Sequence, residues 1–235
     1  KKHLRSGEEK IKPLYTQKDA EAVFPMFNVV SYGEIFEPMG GLKVTFKDAG
    51  HILGASLIEL SLEENGATVK LVFSGDIGRP AQLLMEDPSV VDTADFLFLE
   101  STYGDRNHKN EDDSLNELAE AIAYSYGNRE KVIIPAFAVE RTQEMMYCLY
   151  LLSKDGRLPP DMPVYLDSPL AIQATEIFRR HTAYLDDETR ALIKKGEDPL
   201  YLPQLHFTPT TEESMAINNL SGPAIVISAS GMADA

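Results

Sequence analysis

Alternating apolar and polar positions set the character of the first part of this chain. Leu42, Val44 and Phe46 alternate with Lys43, Thr45 and Lys47, the period of a strand with one buried face. Residues 56–62 and 68–74 are also strand-like. Asn65-Gly66 between them predicts a hairpin, since both residues tolerate the positive φ of a type I′ turn. Ahead of this meander a short helix is predicted at about 17–24, with Thr16 as N-cap, Asp19 three residues on, and Pro25 at its end.

Past residue 106 the pattern changes to strand, loop, helix, repeated. Leu115, Leu118, Ala119, Ile122, Ala123 and Tyr126 form one apolar helical stripe, with caps at 112–114 and an exit at Gly127. Residues 132–137, 164–167 and 224–229 are short apolar runs, and the first two precede helical segments at 140–154 and 169–181. Further helices fit 187–195, between Asp186 and Gly196, and 211–219, where Thr210 and Glu213 form a capping box. Strands alternating with helices predict a parallel sheet, whose ligands bind at the carboxyl ends of the strands. The chain therefore reads as α/β, with a change of organisation near residue 106.

Composition adds bounds. At 235 residues and 43% hydrophobic content the chain can bury a sizeable core, as one large or two modest domains. Its single cysteine, Cys148, excludes an internal disulfide and suits a reducing compartment; on a predicted helix it reads as a small core residue. No apolar run approaches the roughly 20 residues of a membrane span. Lys and Arg total 22 against 37 Asp and Glu, a net charge of −15. That sign opposes loose contact with nucleic-acid phosphates, so any binding of nucleic acid would need a local cleft. The basic clusters at 1–5, 179–181 and 194–195 read as solvated faces.

Candidate chemistry sits in three turns. Asp-Ala-Gly-His-Ile-Leu-Gly-Ala-Ser at 48–56 and Phe-Ser-Gly-Asp-Ile-Gly-Arg at 73–79 each set one metal-competent side chain, His51 or Asp76, between glycines beside a strand. An imidazole and a carboxylate suit zinc or a similar divalent ion. Glu100 ends the apolar run 96–99 and opens Ser-Thr-Tyr-Gly. Residue type alone leaves simpler roles open: a turn histidine, an Asx turn at Asp76, an ion pair for Glu100. The predicted sheet places 136–141, Asp167, Ser168 and the 228–231 loop on one rim. There Arg141 either grips a phosphate or pairs with Glu140 or Glu144, and the loop is either a phosphate cradle or a plain turn.

The string from Asp48 through Arg106 carries a specific resemblance. It is followed in order by Ile-Pro-Ala-Phe-Ala-Val-Glu-Arg-Thr-Gln-Glu at 134–144, Leu-Asp-Ser-Pro-Leu-Ala at 166–171 and Ile-Ser-Ala-Ser-Gly-Met at 227–232. Together these resemble the metallo-β-lactamase/β-CASP nucleases. The resemblance implies a partial metallo-β-lactamase αββα sandwich over 1–106 and a parallel-sheet, Rossmann-like β-CASP domain over 107–235, incomplete at its C-terminal end. It implies metal-dependent hydrolysis of phosphodiester bonds in RNA, with two zinc ions in the complete enzyme. His51 would bind one ion and Asp76 would bridge both. Glu100 would support a catalytic histidine, giving Asp76 and Glu100 catalytic roles. Arg141, Ser168, Ser228, Ser230 and Gly231 would face single-stranded RNA in the cleft between the domains.

That family's His-x-His-x-Asp-His motif has no counterpart among His3, His51, His108, His181 and His206. The chain is therefore expected to be an internal fragment of a longer, cytoplasmic enzyme. By itself it would be inactive and hold no metal or an incomplete site. His108 reads as packing at the domain junction, His181 and His206 as surface or core-edge residues, and Asp105–Arg106 as a local pair. A homodimer fits the family. The competing reading is a scaffold subunit of an RNA-processing complex that has lost its metal ligands.

Overall fold

The structure, a computed structural model, describes residues 13–106 and 111–229. His3, His108, Ser230 and Gly231 lie outside the described residues. Helix α1 (Gln17–Glu21) opens as predicted, the Thr16 amide and hydroxyl each donating to the Asp19 carboxylate at 2.7 Å. It ends three residues early, and Pro25 sits within a separate 3-10 turn, Phe24–Met26.

The strands β1 (Ile35–Met39), β2 (Leu42–Asp48), β3 (Ser56–Glu64), β4 (Ala67–Phe73) and β5 (Phe96–Phe98) form one sheet in sequential order. It is antiparallel except for the parallel pair β4/β5. Asn65 (φ 51°) and Gly66 (φ 78°) make the predicted two-residue turn between Glu64 and its partner Ala67. Across three strands the Glu59 carboxylate forms ion pairs with Lys47 Nζ at 3.1 Å and Lys70 Nζ at 3.2 Å. Burial pushes this carboxyl up, but the two ammonium groups outweigh it and hold it below the usual range. The apolar run at β5 is not buried: Phe96, Leu97, Phe98 and Leu99 remain 53–61% exposed.

The second part is the parallel sheet that the sequence predicts, in the order β6-β9-β7-β8. Its strands are β6 (Lys131–Ala136), β7 (Val164–Asp167), β8 (Leu205–Phe207) and β9 (Ala224–Ala229). Helices α2 (Glu111–Asn128), α3 (Arg141–Lys154), α4 (Pro169–Arg180), α5 (Asp187–Lys194) and α6 (Thr211–Ile217) alternate with them. Asp186 caps α5 through the Thr189 amide, and Thr210 with Glu213 caps α6 as predicted. Three details differ from expectation. Helix α2 runs through Gly127 to Asn128 instead of ending at the glycine. Strand β8 is only three residues, too short for its Leu-His-Phe alternation to mark it, and pairs with β7; His206 stacks on Tyr165 at 5.2 Å. Arg179 is not a solvated cation, because its guanidinium serves Glu176, Asp198 and the Leu200 carbonyl at 2.8–3.0 Å.

The main core lies around the second sheet, with Met146, Leu149 and Leu152 of α3 against Leu166, Ile225 and Ile227. Leu84 and Met85, fully buried there, come from the connection between β4 and β5. The Leu84 carbonyl accepts from the Asp186 amide at 3.0 Å, Met85 bridges to Leu185, and Glu86 pairs with Arg190 at 2.5 Å. The same connection brings the two motif turns together. The Gly78 amide donates to the Ala49 carbonyl at 2.9 Å, and a Cβ at Gly78 would stand 1.7 Å from the Gly50 carbonyl oxygen and 2.8 Å from the His51 nitrogen. Glycine is required at 78 because the neighbouring atoms are backbone and cannot rotate away.

Two substitutions separate these contacts. Leu84→Ala is expected to cost about 2–5 kcal/mol in urea unfolding, the range for deleting a fully enclosed leucine. Gly78→Ala is expected to cost ~2 kcal/mol and to speed amide exchange at Gly50 and His51, leaving the β6–β9 ladder protected. Unchanged exchange at both positions would show that the turns do not depend on their close approach.

Candidate metal centre and α3 rim

His51 is placed by a loop closed at several points. The Gly50 amide donates to Asp48 Oδ1 at 2.8 Å, Ala49 N–H to the Ala55 carbonyl, and Gln82 Nε2 to the His51 carbonyl at 3.1 Å. Burial pushes the Asp48 carboxyl up, opposed by that Gly50 N–H, while Glu86 pushes it further up. The His51 ring is half-buried and Asp76 is exposed on its own turn.

Glu100 ties the Asp76 turn to the end of β5. Its Oε1 accepts from the Ile77 amide at 2.7 Å and its Oε2 from the Thr102 hydroxyl at 2.8 Å. Its own amide donates to Ser74 Oγ at 3.0 Å. The Ile77 N–H, then the Thr102 hydroxyl, hold this carboxyl below the usual range, and His51 adds a smaller pull in the same direction. Glu100 is thus an ionised clamp on the turn carrying Asp76.

The expected three motifs therefore meet at one sheet edge, with the His51 turn packed on Gly78 and the Asp76 turn held by Glu100. His51 and Asp76 are donors of the right kind for zinc. Among the described residues, though, no three His, Cys, Asp or Glu side chains form a set that could hold a metal ion. Zinc takes about four ligands, so these residues fit as part of a site.

The second cluster of expected residues lies at the carboxyl ends of the parallel strands. Ser228 pairs with Pro135 on one side and Asp167 on the other, so β6, β7 and β9 end together. Ser168 is buried and its Oγ caps α4 by accepting from the Ala171 amide at 3.2 Å, which leaves its O–H for any other partner. Asp167 accepts from Thr208 Oγ1 at 2.8 Å and Ser214 Oγ at 3.0 Å. Arg141, half exposed, takes one of its two sequence alternatives: its Nη1 meets Glu144 Oε2 at 2.5 Å.

Sequence reasoning missed Arg79 and the role of Glu140. Arg79 Nη2 reaches the other oxygen of Glu144 at 3.5 Å, so Glu144 links the Asp76 turn to α3. Arg79 ends the quoted 73–79 motif, and its charge beside a glycine turn was the available signal. Glu140 precedes α3 with φ 69° and ψ −67°, and its carboxyl is buried. Asp105 and Arg106 do form an exposed local pair at 3.9 Å, with the Arg106 guanidinium over Tyr103.

Known proteins resemble this chain along most of its length. Residues 142–235 match the Beta-Casp domain model. Ribonuclease TTHA0252 of Thermus thermophilus is 35% identical, covering 94% of this chain and 49% of that protein. Transcription termination factor FttA of Pyrococcus abyssi is 32% identical over 94% of this chain and 34% of its own length. Endoribonuclease YSH1 of Kluyveromyces lactis is 24% identical over 93% and 28% respectively. The chain thus spans about half the length, or less, of the curated relatives it matches. With such relatives along nearly its whole length, the chain is similar throughout to proteins of this kind, and its second part, residues 142–235, belongs to the Beta-Casp domain family.

Proposed function

We propose that the complete protein is a cytoplasmic, zinc-dependent ribonuclease and that this chain supplies part of its metal centre and most of its β-CASP domain. The observation carrying the reading is the abutment of the His51 turn on the Asp76 turn, clamped by Glu100 and linked through Arg79 and Glu144 to α3. Relatives named as ribonucleases support the substrate class. In this reading residues 1–106 belong to the metallo-β-lactamase domain and 107–235 to the β-CASP domain. The exposed apolar strand β5 suits a sandwich whose remaining wall lies in the rest of the relatives' length. Among the described residues no helix is long and apolar enough to cross a membrane.

Two zinc ions, when bound, would supply a water acidified towards a pKa of ~7 and positive charge for the phosphate oxygens. His51 and Asp76 are the residues of this chain that would hold them. Glu100 fixes the Asp76 turn through the Ile77 amide, so the carboxylate of Asp76 is presented at a set place. Arg141 offers a guanidinium at the start of α3, where it can exchange its partner Glu144 for an RNA phosphate. Ser228, near the end of β9, stands on the same rim.

In the complete protein, Asp76→Asn keeps the shape of the side chain and removes its charge. Single-turnover cleavage at saturating RNA is expected to fall by at least ~10³-fold, with the fold retained. Near-normal cleavage would end the two-metal reading, whereas absence of cleavage by the wild-type protein would favour the scaffold alternative. Arg141→Ala is expected to weaken RNA affinity about tenfold with a smaller effect on the cleavage step. Unchanged affinity would leave Arg141 as a structural partner of Glu144.

A further inference from the structure

A cavity of about 480 Å³ lies between the first sheet and the end of α4, and the reading above makes no use of it. Residues 28–32, Phe46 and the loop after His51 form one side, and Ile177, His181 and Tyr184 form the other. Its size is that of a small-molecule site, roughly 300–1,000 Å³.

The walls are aromatic rings held in place by their surroundings. The Tyr32 hydroxyl donates to the Ala55 carbonyl at 2.8 Å, and its ring meets that of Tyr184 edge-on at 5.9 Å. Phe46 is backed by Phe36, with the two rings stacked at 5.6 Å. Tyr184 ends the 3-10 turn Thr182–Tyr184, between the buried Phe178 and Leu185, and lies 6.3 Å from the His181 ring. Two buried neighbours fix its backbone, yet the residue stays 41% exposed, so the ring is open to a further partner.

The lining selects the chemistry of that partner. None of the described residues around the cavity is Asp, Glu, Lys or Arg. A phosphate or carboxylate would be desolvated there without a countercharge, at a cost. The rings offer faces and edges to a flat ligand, and the Asn28 amide and Ser31 hydroxyl offer donors and acceptors at its rim. A neutral plane with polar edges is a nucleobase, which aromatic side chains take up by stacking. The place fits as well. The Ala55 carbonyl that receives the Tyr32 hydroxyl also receives the Ala49 amide at 3.2 Å, the bond that closes the His51 turn. Gly54 of the same turn stands in the cavity wall.

We propose that this cavity receives one nucleobase of the RNA strand, stacked on Tyr184 beside the His51 turn. This rests on the reading that the complete protein acts on RNA. A base seated there sets the register of the strand against the metal side of the molecule. Stacking also gains affinity without a phosphate contact, which suits a chain of net charge −15.

The test uses the complete protein with a chelator present, so that no cleavage intervenes. The probes are oligouridylates carrying one 2-aminopurine at successive positions, whose emission falls when that base stacks on a ring. Emission is expected to fall at one position with wild type and with Tyr184→Phe, which keeps the ring. Tyr184→Ala is expected to lose that fall and to bind about tenfold more weakly. Ser31→Phe removes no ring but fills the cavity, and is expected to do the same. Thermal unfolding of each variant checks that it is folded.

Equal emission and affinity in wild type, Tyr184→Ala and Ser31→Phe overturns the proposal while the RNA reading stands; another part of the complete protein then covers the cavity. Binding of free 2-aminopurine riboside, lost in Tyr184→Ala, with no binding of any oligouridylate makes a free nucleoside the occupant and removes the RNA reading. Binding of neither probe by wild type removes both.

Discussion

The arrangement depends on the burial of Leu84 and Met85 in a core that otherwise belongs to the second sheet. Full burial of two such side chains contributes about 3–6 kcal/mol. Directional contacts, from the Leu84 carbonyl to Asp186 and from Glu86 to Arg190, set its orientation. The connection that carries these residues also carries Asp76, Gly78 and Arg79. One hydrophobic anchor therefore fixes where the Asp76 turn lies relative to α3, and the contact of Gly78 with Gly50 passes that placement on to His51.

Around this anchor polar groups do different work according to their access to partners. The carboxyls of Glu100 and Glu59 are both held below the usual range: by hydrogen bonds from the Ile77 amide and Thr102 hydroxyl in one case, by ion pairs with two lysines in the other. Among the described residues no hydrogen-bond donor reaches the Glu140 oxygens, and burial, then the Glu144 charge, pushes its carboxyl up to about 8. Local geometry thus shifts three glutamates of one chain in different directions. Glu144, shared between Arg79 and Arg141, is the electrostatic seam between the metal-side turn and the rim.

The acidic net charge and the proposed handling of RNA are compatible on this basis. The sum over the surface governs loose, long-range contact, which an acidic protein disfavours. Binding in a cleft depends on the few groups that line it. In the proposed reading those include Arg141, 2.5 Å from Glu144, Arg79, 3.5 Å from the same carboxylate, and whatever cations the complete site holds.

Local pattern determined much of this molecule: the β2–β3–β4 meander, the Asn65-Gly66 turn, the caps at Thr16, Asp186 and Thr210, and the alternation of helix with parallel strand past residue 106. Each follows from side-chain periodicity or from hydrogen bonds within three or four residues. The motif strings likewise marked His51, Asp76, Glu100 and Arg141 as residues worth watching. Tertiary structure alone decided the rest. It formed β8 by pairing with β7, turned Arg179 inward to the Asp198–Leu200 loop, and left β5 apolar but exposed. It also drew Arg79 to Glu144 across 65 residues and left the Glu140 carboxyl without a hydrogen-bond partner among the described residues. Such outcomes depend on which distant groups arrive at a position, and neither spacing nor residue type along the chain carries that information.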